Sequence, residues 1–140
     1  HDRGHLFRAV YEGIAFGIRQ ILDCLDSAGG PPERILAVGG GTQGELWTQI
    51  VSDVTGRDQL IPVQTIGASY GVALLAAIST GLVPADTDWA EVKAVVEPSD
   101  DVREVYDGLY QTYCELYPAT REQVHRLAAM QSHPPDLPAG

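Results

Sequence analysis

Lysine is nearly absent: Lys93 stands alone, and Lys plus Arg total 9 against 19 Asp plus Glu, a formal charge of −10 over 140 residues. A surface of that sign repels phosphate backbones and anionic headgroups. It argues against general nucleic-acid binding and against docking on membranes. It still leaves room for one nucleotide held by backbone amides. Cysteine is scarce too. Cys24 and Cys114 lie far apart and form no CxxC, which reads as reduced thiols in a reducing compartment, with the cytoplasm as the expected location. The longest apolar run, Val72 to Ile78, is too short to span a bilayer. No secretory leader is visible, because His1-Asp2-Arg3 opens directly into an amphipathic pattern and the chain looks cut from something longer.

Catalytic signatures are also missing. Ser, Cys and His assemble no recognisable triad, nothing resembles a GKS or GKT P-loop, and no general base stands out. His1 and His5 are four apart but lack the glutamate of HExxH and a third ligand, so no metal is expected there. What remains is globular in composition. With 44% hydrophobic and 20% charged residues, the chain has the makings of one domain with a real core, not of a disordered tail.

The organising stretch runs from Arg34 to Trp47. Ile35 to Val38 has the character of a short buried strand. Three consecutive glycines follow, Gly39, Gly40 and Gly41. After Gly44 the apolar residues Leu46, Trp47, Ile50, Val51 and Val54 recur at helical spacing, which predicts a helix from Glu45 to Thr55 ending at Gly56. Strand, glycine turn and helix N-terminus together bring bare backbone up to an anionic or nucleotide ligand. A strand-to-helix turn that needs positive φ uses the same residues. Gly39-x-Gly41-x-x-Gly44 also fits the dinucleotide fingerprint, but Pro62, Val63 and Gln64 occupy the place where an acidic residue is required. Asp53 follows Gln49 by one helical turn and reads as a surface residue, with a buried carboxylate near a nucleotide as the other option.

Upstream, Phe7, Val10, Ile14, Ile18, Ile21 and Leu25 make one apolar face, predicting a helix from Arg3 to Ala28 that stops at Gly29-Gly30-Pro31-Pro32. Gly13 and Gly17 inside it predict close approach of another backbone. Downstream, Leu60 to Val63 is a second strand, confined by Pro62 to an edge or an end. Gly67 and Gly71 open a small-residue helix running to Ile78, expected to press on a neighbour or a ligand. Residues 84–104 are acidic and read as a solvated loop with one short helix or strand. Tyr106, Tyr110, Tyr113 and Tyr117 stripe a last helix as core or interface, and Pro118 should kink or break it before Arg121–Met130. Residues 133–140 read as a disordered tail.

Three motifs in order resemble the FGGY carbohydrate kinases. His5-Leu6-Phe7-Arg8-Ala9-Val10-Tyr11-Glu12 is similar to the second half of that family's signature. Gly39-Gly40-Gly41 with Leu46-Trp47-x-Gln49-Ile50-x-x-Asp53 resembles its adenosine motif. Gly67-Ala68-x-x-Gly71-x-Ala73-Leu74-Leu75-Ala76-Ala77 resembles its second connecting helix. Within the family the pattern is most similar to xylulokinases.

The resemblance implies an α/β fold: part of the C-terminal ribonuclease-H-like, actin-like ATPase domain, helix-rich with few strands. Residues 1–132 would be that portion. It implies transfer of the γ-phosphoryl group of ATP, with Mg2+, to a hydroxyl of a small sugar or polyol. The catalytic base and most of the metal site would lie upstream of His1. Gly39, Gly40 and Gly41 would flank adenine and ribose, Gln43 and Gly44 would make the next contacts, and Gly67 and Gly71 would sit at the hinge between domains. The family more often has Lys or Arg near Gln43 and Ser or Asn at Gly44, so a charge and a side-chain hydrogen bond are missing here. A non-catalytic actin-like nucleotide-binding module and a Rossmann fragment are the other readings. With few strands the sheet has open edges, and self-association through an edge or the first helix is expected.

Overall fold

The computed structural model describes residues 1–132; the tail expected at 133–140 lies outside the described residues. The first helix, α1, spans Arg3–Ser27. Asp2 caps it by accepting the His5 amide hydrogen at 3.1 Å, while His5 Nδ1 accepts from the Asp2 amide at 3.2 Å. His5 is thus half of a capping box, which is a structural use for the histidine pair seen in the sequence.

One of the predicted strands changes. Ile35 to Val38 does not form a strand: it makes a single parallel bridge, Leu36 to Leu60. The bridge is held by Leu60 N to Ile35 O at 2.8 Å and Ala37 N to Leu60 O at 3.0 Å. Strand β1 spans Gln59–Pro62. The regular partner of β1 comes instead from the acidic stretch: β2, Val92–Val96, pairs with it antiparallel, in register Gln59 to Val96. Pro62 sits at the strand end, where the register slips, as its missing donor requires.

Helix α2, Glu45–Thr55, is the centre of the core. Ile50, Val51 and Val54 are buried with Ala15 and Phe16 of α1 and with Tyr106 of the last helix. Its polar residues Thr48, Ser52, Asp53 and Thr55 are buried as well, and each finds a partner. Ser52 Oγ donates to Val96 O at 2.8 Å, tying α2 to β2. Gln59 Nε2 donates to Thr48 O at 2.6 Å and Ser52 Oγ at 2.9 Å. Asp53 is not at the surface. It is 5% exposed and accepts from Gln49 Nε2 and from the Ser99 amide, both at 2.8 Å. It anchors the turn after β2, away from the glycines. Gly56 closes the helix at φ +65°, a left-handed cap that glycine adopts without a Cβ clash.

Helix α3, Ala68–Ser79, has no buried residue, and no atom lies within 4 Å of a Cβ built at Gly67 or Gly71. The expected tight contact is absent among the described residues. The same holds at Gly13, while Gly17 meets only the Tyr113 hydroxyl, 3.7 Å away.

The last helix, α4, spans Arg103–Ser132 and passes through Pro118 without ending there. Proline removes one donor, yet the helix continues, and Thr120 Oγ1 donates to Leu116 O at 2.7 Å. Its tyrosines lie along α1. Phe16 packs against Tyr106, Tyr110 and Tyr113 at centroid distances of 6.3, 6.1 and 5.5 Å. Tyr106 OH donates to Glu12 Oε1 and accepts from Arg8 Nη2, both at 2.9 Å. Burial pushes the Tyr106 phenol above its ordinary pKa. Arg19 reaches Asp107 at 2.7 Å and Val54 O at 3.0 Å while lying 4.2 Å from the centre of the Tyr110 ring. That arginine holds the Asp107 carboxyl below the usual range. The tyrosine stripe is an interhelical seam as far as Tyr113; Tyr117 is exposed.

Candidate functional site

The glycine turn is built by one strained residue and two permissive ones. Gly39 has φ +89° and ψ −178°, a region that L side chains rarely enter. Its amide donates to Thr65 O at 2.6 Å, and its carbonyl accepts from Thr42 Oγ1 at 2.8 Å. The chain then winds through a short 3-10 turn, Gly40–Gln43, and Gly44 starts α2. Gly40 has open space where a Cβ would stand. Gly41 does not: a Cβ there would come within 2.9 Å of Trp47 Cδ1, so the missing side chain is what lets the indole lie against the turn.

Two clefts flank this turn, and they divide the residues singled out in the sequence. One, of about 550 Å³, is lined by Gly40, Gly41 and Gly44 together with Tyr11, Ile14, Leu46 and Trp47. Tyr11 meets Trp47 edge-on, with centroids 5.5 Å apart and planes at 61°. The other, of about 690 Å³, holds Gln43 with Thr42, Gln49, Lys93 and Glu97. Gly39 lines neither, since its backbone shapes the turn from beneath. Gly67 and Gly71 line a third, mostly apolar cleft of about 370 Å³ with Leu36, Val38 and Trp89.

The glycine cleft is the better receptor for a flat ring. It combines bare backbone, the N-terminal end of α2 and two aromatic side chains. Tyr11 and Trp47 were missed as site residues by the sequence reading. Both stand in motifs that carry the family resemblance, Tyr11 in the His5–Glu12 stretch and Trp47 in the Leu46-Trp47-x-Gln49 stretch, but nothing local in the sequence links the two, 36 positions apart. No carboxylate or histidine among the described residues lines the cleft. Among the described residues no three His, Cys, Asp or Glu side chains gather as metal ligands. No helix among them is long and apolar enough to cross a membrane, and Cys24 and Cys114 are both free.

Residues 1–80 match the model of the FGGY family of carbohydrate kinases, C-terminal domain. The chain is 26% identical over 126 residues to the xylulose kinase of Bacillus subtilis (strain 168), covering 87% of this chain and 25% of that protein. It is 35% identical over 97 residues to the glycerol kinase of Saccharopolyspora erythraea, covering 66% of this chain and 19% of the relative. The crystal structure of xylulose kinase from Rhodospirillum rubrum superposes with a TM-score of 0.74 at 33% identity, over 89% of this chain and 26% of that one. The chain therefore spans about a quarter of the length of the xylulose kinases it matches.

Proposed function

This chain belongs to the FGGY family of carbohydrate kinases, and from that premise we propose that it supplies the adenosine-binding part of an ATP-dependent sugar kinase. Its fold is a helix-rich portion of the family's C-terminal, actin-like ATPase domain. We assign residues 1–132 to that portion. The parent protein would transfer the γ-phosphoryl group of ATP to a sugar or polyol hydroxyl, with D-xylulose the favoured acceptor by likeness to the xylulose kinases. One observation carries the reading: bare glycines, a helix N-terminus and an aromatic pair converge on a single apolar cleft.

In this reading Gly40, Gly41 and Gly44 flank the base and ribose, Gly39 sets the turn, and Gln43 faces away from the base. Gly67 and Gly71 sit at the hinge with the other domain, where open space on both suits a moving contact. By likeness to the family, Mg2+ and the catalytic base would be held by other parts of the parent. The free cysteines fit a cytoplasmic location. The test is ADP release by the parent protein with Mg-ATP across D-xylulose, D-ribulose, L-ribulose, glycerol and gluconate. A response confined to D-xylulose is expected. A response to another acceptor would remove the substrate assignment and keep the kinase. Silence with every sugar beside measurable ATP binding would make this a non-catalytic nucleotide-binding module, and preference for NAD over ATP would restore the Rossmann alternative.

The 140-residue chain by itself should self-associate. Val10, Ile14 and Ile21 project from one side of α1 and are each more than half exposed. Both the Leu36 segment and β2 leave a strand edge free among the described residues. Light scattering at high concentration should give a mass above 15.0 kDa, and Ile21→Glu should lower it if α1 is the contact. A monomeric mass for the unmodified chain would refute the idea.

A further inference from the structure

The glycine cleft is poor in groups that distinguish one purine from another. Its side walls, Ile14 and Leu46, are apolar, and its floor is glycine backbone. Only two side chains there can form a hydrogen bond. The Tyr11 hydroxyl both donates and accepts, so it meets an amino group and a carbonyl equally well. Trp47 Nε1 donates only, and every purine offers ring-nitrogen acceptors. Among the described residues no Asn, Gln, Asp or Glu lines the cleft, and Gln43, the one side-chain amide of the turn, lines the other cleft.

We propose that this cleft accepts purine nucleoside triphosphates as a class, holding the base by shape and aromatic contact without reading its six-position substituent. The proposal rests on the nucleotide reading given above and sharpens it. Strong discrimination arises when the wrong ligand leaves a buried polar group of the site unpaired. Among the side chains that line the cleft neither purine does so, because the tyrosine hydroxyl adapts, the indole N–H can meet a ring nitrogen of either purine, and Ile14 and Leu46 are apolar. The aromatic wall is set in advance: Trp47 is seated against Gly41 and braced edge-on by Tyr11. Contact with such a wall scales with ring area and tolerates ring substituents, so pyrimidines should bind more weakly than purines.

The experiment is a fluorescence titration of the full 140-residue chain carrying Trp89→Phe, which leaves Trp47 as its one indole. ATP, GTP and CTP are the probes. ATP and GTP should quench with dissociation constants within about threefold of each other, a ratio left by the absence of any unpaired polar group, with CTP weaker. Gln43→Ala should change neither purine. Tyr11→Phe should weaken both alike. A preference for ATP over GTP of about tenfold or more, the size that one selective hydrogen bond supplies, would overturn the proposal while leaving the nucleotide reading intact. So would a change on Gln43→Ala confined to one purine. Failure of ATP itself to bind would instead remove the nucleotide reading on which the proposal stands.

Discussion

Phe16→Ala should lower the unfolding free energy of this chain by about 3–5 kcal/mol, the range for truncating a buried phenylalanine. Phe16 is 8% exposed and stands where α1, α2 and α4 meet. Three tyrosine rings close around it, at centroid distances of 5.5 to 6.3 Å. Those rings cannot collapse freely into the void. Tyr106 is pinned by Arg8 and Glu12, and Tyr110 donates to Asp23 at 2.6 Å. The cavity should therefore persist, and its lining loses contacts outright. Urea unfolding followed by circular dichroism reads the effect as a lower midpoint. A loss below about 1.5 kcal/mol, the range of swaps that keep core volume, would mean that the seam repacks around the hole.

Gly39→Ala is the second large effect, and it separates fold from site. At φ +89° and ψ −178° an alanine is strained by about 1–3 kcal/mol. Relief would have to come from rotating the peptide, which breaks the bonds to Thr65 O and from Thr42 Oγ1. Stability should fall, and the glycine cleft should lose its nucleotide with it. Gly40→Ala is the contrasting variant. Its Cβ meets nothing within 4 Å, so the melting temperature should stay close to that of the unmodified chain. The added methyl still projects from a residue that lines the cleft, so nucleotide binding should weaken without loss of fold. If both variants bind nucleotide as the unmodified chain does, the glycine turn is structural only.

The sequence was most informative where the signal is local. The span of α1 follows from the spacing of Phe7, Val10, Ile14 and Ile21 and from the glycine–proline stop, because helix periodicity and termination act within one turn of the chain. The end of α2 at Gly56 follows from glycine's left-handed conformation in the same way. The glycine turn and the helix after it were legible on those terms, and so was the family. Residues 84–104 were legible as a solvated loop with one short helix or strand, but nothing in Val92–Val96 says which strand will pair with it.

Tertiary structure alone decided three things. It buried Asp53, because Ser99, 46 positions away, brings a donor to it. It reduced Ile35–Val38 to one bridge, Leu36 to Leu60, and gave β1 its regular ladder from β2. It also put Gln43 and the glycines Gly40, Gly41 and Gly44 on different clefts and set Tyr11 beside Trp47. Each of these depends on two segments far apart in the chain meeting at a fixed angle. A residue's own neighbours in sequence carry no information about that angle, whereas they do carry it for helices, caps and turns. Hence the glycine turn could be read from the sequence, and the cleft it serves could not.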